Sequence, residues 1–244
     1  MNSSFNLKQN GFTLVELMVG MLLSLILIAG LFTIYLSSKQ TNRTSEGVIS
    51  AQSDGQLVLS FLKEDIAKTG WVNNSSNSYS LSSPLPADFA TYDGGIGPDT
   101  LKVHYESCDN SDIDNNCLPS GIDRADCNGV GVAAGAIITN TYEVNADNEL
   151  TCNDQPLINN VQDFQVLYGE LTNDGLRYVT ADNISNSSKI HSIRFGVILN
   201  AQNSTSDNNT ARNIQLLDKT VNLNDKKIHL KYESTVAILN KPHI

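Results

Sequence analysis

Gly11-Phe12-Thr13-Leu14-Val15-Glu16-Leu17, with the apolar run that continues to Leu36, is the stretch from which the rest of the chain is read. From Leu17 to Leu36 no charged residue and no proline interrupts it. A helix rises about 1.5 Å per residue, so the segment reaches roughly 30 Å, the thickness of a bilayer's hydrocarbon core. The polar leader Met1–Asn10 carries one basic residue, Lys8. A secretory signal peptide fits poorly. Its apolar region spans about 7–15 residues and a small-residue cleavage site follows it, whereas no Ala-x-Ala pattern stands close behind Leu36. The processing point offered here, Gly11, precedes the run. Glu16 is the polar exception, because a carboxylate held at mid-bilayer costs up to about 2.5–3.5 kcal/mol, and less near the interface. Either it snorkels to the headgroups or it pairs with a cation. Cleavage after Gly11 would create one, a free α-amine on Phe12, where the helix N-terminus adds partial positive charge.

These residues resemble the N-terminus of type IV prepilins and pseudopilins: a leader ending in Gly, then Phe-Thr-Leu-hydrophobic-Glu and a long apolar helix. The match runs from Gly11 to Leu36 without a gap. The resemblance implies that a prepilin peptidase cuts after Gly11 and methylates Phe12, and that Glu16 serves filament assembly. It divides the chain into a leader (1–11), a transmembrane or filament-core helix (12–36), an amphipathic helix half (37–70) and a globular β-rich domain (71–244).

Past Leu36 the helical pattern becomes amphipathic. Val48, Ala51, Gly55, Val58, Leu62 and Ile66 form one apolar stripe, and Lys39, Arg43, Glu46, Asp54, Lys63 and Glu64 fall largely off it. Gly70 is placed to stop the helix after Lys68 and Thr69. A helix from Phe12 to about Thr69 would be about 87 Å long, with Gly47 and Gly55 as sites of local bending, each costing up to about 1 kcal/mol relative to Ala.

The 244 residues carry 16 Lys and Arg against 26 Asp and Glu, a formal net charge of −10, and no basic cluster. Nucleic acid is therefore not an expected partner. The residues beyond the helix suffice for a single core, and abundant Asn, Ser, Asp and Gly predict long polar surface loops. The four cysteines, Cys108, Cys117, Cys127 and Cys152, include no Cys-x-x-Cys, which argues against zinc or redox chemistry. Outside the inner membrane disulfides are the default. Three pairings are open, and we favour Cys108–Cys117 with Cys127–Cys152, since each closes a polar loop and is worth roughly 2–3 kcal/mol.

Strands are expected at Thr100–Tyr105, Ala136–Val144, Val161–Gly169, Ile190–Leu199 and Ile228–Leu239. In the fourth, Ile193, Phe195, Val197 and Leu199 alternate; in the last, Ile228, Leu230, Tyr232, Val236 and Ile238 do so. Such alternation suits an antiparallel sheet with one face buried against the helix. Asn73–Pro98, Ser107–Gly131, Thr172–Lys189 and Ala201–Asn213 read as loops. The fold class expected is α+β and pilin-like, a long N-terminal helix on an antiparallel sheet with disulfide-braced loops.

Asp126-Cys127-Asn128-Gly129, Leu150-Thr151-Cys152, Val161-Gln162-Asp163-Phe164-Gln165-Val166-Leu167-Tyr168-Gly169, Asn173-Asp174-Gly175, Tyr178, Ile193-Arg194 and Ser234-Thr235-Val236-Ala237-Ile238-Leu239-Asn240 are similar, in this order, to minor pilins of the PilW type. The resemblance implies a low-abundance pilus subunit that primes assembly and sits near the tip. Its partners would be the prepilin peptidase, other minor pilins, the major pilin and a tip adhesin. Before assembly it would be a single-pass protein of the bacterial inner membrane with its C-terminal domain in the periplasm. A type II secretion pseudopilin and a membrane-tethered binding module remain the alternatives.

Little else points to chemistry. Gly129-Val130-Gly131-Val132-Ala133-Ala134 imitates a dinucleotide-binding turn but follows a Cys/Asp loop instead of a strand. Asp112, Asp114 and Asn116, with Asp109 and Asp123 nearby, alternate as in a calcium loop, yet Cys117 stands where that loop needs Gly and Asp123 where it needs Glu. No metal and no cofactor is expected. His104, His191, His229 and His243 are scattered, and no hydrolase, zinc-protease or phosphate-loop motif occurs, so no catalytic activity is expected.

Overall fold

In the computed structural model the structure describes residues 11–71, 93–107, 125–133, 135–204 and 209–240. The chain divides between Glu46 and Gly47 into two units. Helix α1 (Leu14–Lys68) is continuous through that boundary. Every residue from Gly11 to Arg43 is exposed, as the absence of any polar face predicts for a segment whose apolar surface must be covered by lipid or other chains. By length and composition this helix can cross a membrane, with a mean hydropathy of 2.6 in its most apolar window.

In the second unit, Gly47, Ala51, Gly55, Val58, Leu62 and Ile66 of α1 are buried, as the stripe predicts, with Val48 only half-buried. Gly55 is there for close approach: a Cβ on it would stand 2.3 Å from Tyr232 Cε2. The helix ends where expected. Gly70 takes φ +78°, a left-handed conformation that suits glycine, while Thr69 and Trp71 donate backbone bonds to Ile66 and Lys68. The Gly70 N–H donates to the His104 carbonyl at 2.9 Å, tying the helix end to the first strand.

Among the described residues ten strands follow: β1 (Leu101–Glu106), β2 (Ile137–Val144), β3 (Leu150–Cys152), β4 (Gln155–Ile158), β5 (Val161–Thr172), β6 (Gly175–Val179), β7 (Ile190–Ser204), β8 (Thr210–Leu216), β9 (Lys219–Asp225) and β10 (Lys227–Ala237). They form a four-stranded sheet in the order β1-β2-β3-β4, another in the order β10-β7-β5-β6, and the hairpin β8-β9, with every pairing antiparallel. Pro156, which cannot donate to a ladder, lies on the edge strand β4. One apolar cluster joins the stripe of α1 to Leu101, Tyr142, Leu150, Phe164, Ile193, Phe195, Val197 and Leu199.

The five expected strands are present, with shifted ends. Two expected loops are corrected. The stretch 172–189 contains β6 and two short 3-10 turns, and 201–213 is largely strand, because β7 runs to Ser204 and β8 begins at Thr210. Polar residues on the solvent side of short strands hid both. The expectation of a single buried face also fails at β7. Its inner face carries Ile193, Phe195, Val197 and Leu199, while Ile198 on the outer face is buried under Leu216, Val221 and Leu223 of the β8-β9 hairpin.

Candidate functional site

The N-terminal motif is the first candidate. Gly11, Phe12 and Thr13 are exposed and precede the helix. Glu16 and Thr13 close a reciprocal cap: Thr13 donates to Glu16 Oε2 from its backbone N (3.2 Å) and its hydroxyl (3.1 Å), and Glu16 N donates to Thr13 Oγ1 (3.3 Å). This capping box satisfies otherwise orphaned helix-end donors. It also holds the carboxylate beside the backbone that carries the Gly11–Phe12 bond. The Thr-x-x-Glu spacing of residues 13–16 is the sequence signal for this cap.

A second polar centre joins helix, sheet and disulfide. Asp65 of α1 is buried, and its Oδ2 accepts from Tyr142 Oη (2.7 Å) and Asn140 Nδ2 (2.8 Å) of β2. Asn140 Oδ1 in turn accepts from Cys127 N (3.1 Å) and Asn153 Nδ2 (3.4 Å). Cys127 and Cys152 form a disulfide with their Cα atoms 6.4 Å apart. Burial raises the Asp65 carboxyl above its ordinary 3.8, outweighing the opposing hydrogen bonds from Tyr142 and Asn140 and the Lys68 charge. Beside it lies a cleft of about 240 Å³ lined by Phe61, Asp65, Lys68, Tyr105, Asp126 and Cys127. Lys68 Nζ already serves the cleft's acidic and aromatic walls, 3.2 Å from Glu64 and 5.9 Å from the Tyr105 ring centre. Asp65 stands on the apolar stripe one turn past Leu62, and a charge at such a position is the signal that would have found it.

Two further carboxylates brace β5, Glu170 from within the strand and Asp99 from the segment before β1. Glu170 is fully buried and accepts from Ser185 N and Oγ, Asn186 N, and Arg177 Nε and Nη2. Burial alone would raise it, but the hydrogen bonds from Ser185, Arg177 and Asn186 prevail and take it down to about 2. Asp99 accepts from Val166 N (2.8 Å) and Gly94 N (2.9 Å), yet burial, with Asp93 and Asp218 nearby, pushes it up to about 6. Next to it Lys219 Nζ reaches Asp163 Oδ2 (2.8 Å) and the Gly97 carbonyl (2.7 Å). Each group is paired in a way that braces backbone, which is structural work and not the arrangement of an acid–base pair around a substrate.

Cys108, Cys117, Asp109, Asp112, Asp114, Asn116 and Asp123 lie outside the described residues. Among the described residues no group of three or more His, Cys, Asp or Glu is placed to hold a metal ion. The described part of the glycine-rich stretch, 129–133, opens no helix. Asp126 Oδ1 accepts from Asn128 N and Val130 N to form a turn, and the chain proceeds to β2.

A long apolar helix whose distal half lies on antiparallel sheets defines the pilin-like class. Residues 6–32 match the family model described as the prokaryotic N-terminal methylation motif, and residues 128–240 match that of the type IV pilus-assembly protein W. The chain thus carries an N-terminal methylation motif and, over a little under half its length, a region that matches the PilW model. Among solved structures it is similar to a type IV-like pilin from Thermus thermophilus, at 13% identity and a TM-score of 0.42 over 79% of this chain and 98% of that one. No curated protein matches it in sequence.

Proposed function

We propose that this chain is a minor pilin of a type IV pilus, a structural subunit that helps to prime assembly and sits near the filament tip. The observation that carries the reading is the pairing of a methylation motif over 6–32 with a PilW region over 128–240. A prepilin peptidase would cut between Gly11 and Phe12 and methylate the new terminus. Support comes from Gly11 itself. It precedes the helix, a Cβ there would meet nothing within 4 Å, and its backbone is not left-handed, so the chain's own packing does not demand glycine at this position. On this reading the glycine would serve the peptidase instead. Before assembly, α1 would hold the chain in the inner membrane with the β-rich domain in the periplasm. On assembly the apolar half would leave lipid for the filament core, among other minor pilins and the major pilin. There Glu16 would exchange its Thr13 cap for an α-amine, a pairing favourable in low dielectric when both charges are present.

Deleting the gene and counting surface pili, with retraction intact and disabled, tests the role. Loss of pili that is rescued by disabling retraction marks a promoter of initiation, and loss in both backgrounds marks an obligatory primer. Unchanged piliation overturns the reading, and a fall in protein secretion instead would assign the chain to a secretion pseudopilus.

A further inference from the structure

The β8-β9 hairpin covers the outer face of β7 and β10 through a small contact. Its apolar part is Ile198 of β7 beneath Leu216, Val221 and Leu223, with Ile214 at the margin. The rest is polar. Lys231 Nζ donates to the Gln215 carbonyl, Leu217 N donates to Glu233, and Arg212 reaches the Lys227 carbonyl at 3.4 Å. At the turn end, Lys219 holds Asp163 and Gly97.

Beneath the opposite end lies His229. It stands directly across from Asn200 in the β10–β7 register, on the face that carries Lys231 and Glu233. Its side chain is 1% exposed, and its Nε2 lies 3.2 Å from Asp225 Oδ2. The other oxygen of Asp225 accepts from Lys227 N (3.0 Å) and so forms the β9–β10 turn. Among the described residues the charges that act on the ring are, in falling order, Asp225 from β9, Arg212 from β8 and Lys227 from β10. Below it Asn200 is neutral and donates to Gln162 of β5. A neutral imidazole suits this place. An imidazolium would be desolvated between two cations with one carboxylate to compensate, and burial first, then Arg212 and Lys227, hold the ring below its ordinary 6.5 against the pull of Asp225.

We infer that the β8-β9 hairpin is an acid-releasable flap, in which protonation of His229 loosens the hairpin from the sheet and uncovers Ile198 and the apolar side of β8 and β9. The sign follows from the direction of the shift. With the closed-state value depressed, the closed state is fully favoured above about pH 6.5 and loses ground as pH falls through the depressed value. Asp99, near the turn end, acts in the opposite sense because its raised value makes acid stabilising there, so a release confined to the hairpin is separable from it.

Hydrogen exchange of the full chain in detergent micelles, with rates corrected for the intrinsic pH dependence of exchange, tests this. Opening of the Ile214–Leu223 amides should rise up to about tenfold between pH 7.5 and 5.5, one unit below the free imidazole value, with no such rise in β1 and β2. In His229→Gln that rise should vanish. Asp225→Asn removes the carboxylate beside the ring and keeps an oxygen for the turn; it lowers the closed-state value further and leaves the free value alone, so the rise should be at least as large and continue to lower pH. An equal rise in His229→Gln, an equal rise across β1 and β2, no rise in the wild type, or a smaller rise in Asp225→Asn would each overturn the flap.

Discussion

Glu16 gains its meaning from two neighbours three and four positions before it. Thr13 caps it in the intact chain, and Phe12 would offer an amine after cleavage. Removing the carboxylate costs the helix a cap worth about 1 kcal/mol, too little to expel an apolar helix of this length from a bilayer. Glu16→Ala is therefore expected to remain membrane-inserted and cleaved but to be lost from filaments, which immunoblotting of sheared pili against the membrane fraction reads directly. Glu170 makes a different prediction. Its folded value near 2 lies below the ordinary 4.5, so its contribution is fully present above about pH 4.5 and disappears as pH falls toward 2. Glu170→Ala should lower stability by about 2–4 kcal/mol at neutral pH, since Arg177, Ser185 and Asn186 lose their acceptor in a buried place. Thermal melts at pH 7 and pH 3 should show the gap between the two proteins narrowing in acid.

Helix α1 is held on the sheets by a stripe and a tether. Leu62 is fully buried at the centre of the stripe, and Leu62→Ala should cost about 2–5 kcal/mol in denaturant unfolding. Asp65 is the tether. With its value raised above 3.8, the stability it confers is fully present in acid and is lost as pH rises through the raised value. Asp65→Asn keeps an oxygen for Tyr142 and Asn140 and cannot ionise, so it should flatten that pH dependence. Asp65→Leu strands both donors and should cost about 2–4 kcal/mol. Changing Cys127 and Cys152 to serine opens a closure of 25 residues and should cost about 3 kcal/mol, read as a lower denaturation midpoint. Legibility differed between these elements for a physical reason. The stripe and the Gly70 stop were readable because a helix imposes a period and a terminating geometry on its own residues. The strands β3, β4, β6, β8 and β9 were not, because they are short and mostly polar outward, and pairing with a distant strand makes them strands.

For the molecule as a whole, the expected outcome of N-terminal sequencing is a chain beginning at N-methylated Phe12; one beginning at Met1 would leave a membrane-tethered domain instead. The capacity for that fate is written locally. A glycine, a capping box and an apolar run from Leu17 to Leu36 need no tertiary partner to act, since a peptidase and a bilayer would read them as linear features. The apolar stripe likewise announced a helix with one buried face. What the linear order could not hold is every feature made by residues far apart in it. Asp65 meets Asn140 and Tyr142 across more than seventy positions, Lys219 reaches Gly97 across 122, and the outer face of β7 is covered by a hairpin that follows it. Partners at such separations are selected by burial and by the cost of leaving polar groups unpaired, and those costs arise only once the sheets have formed.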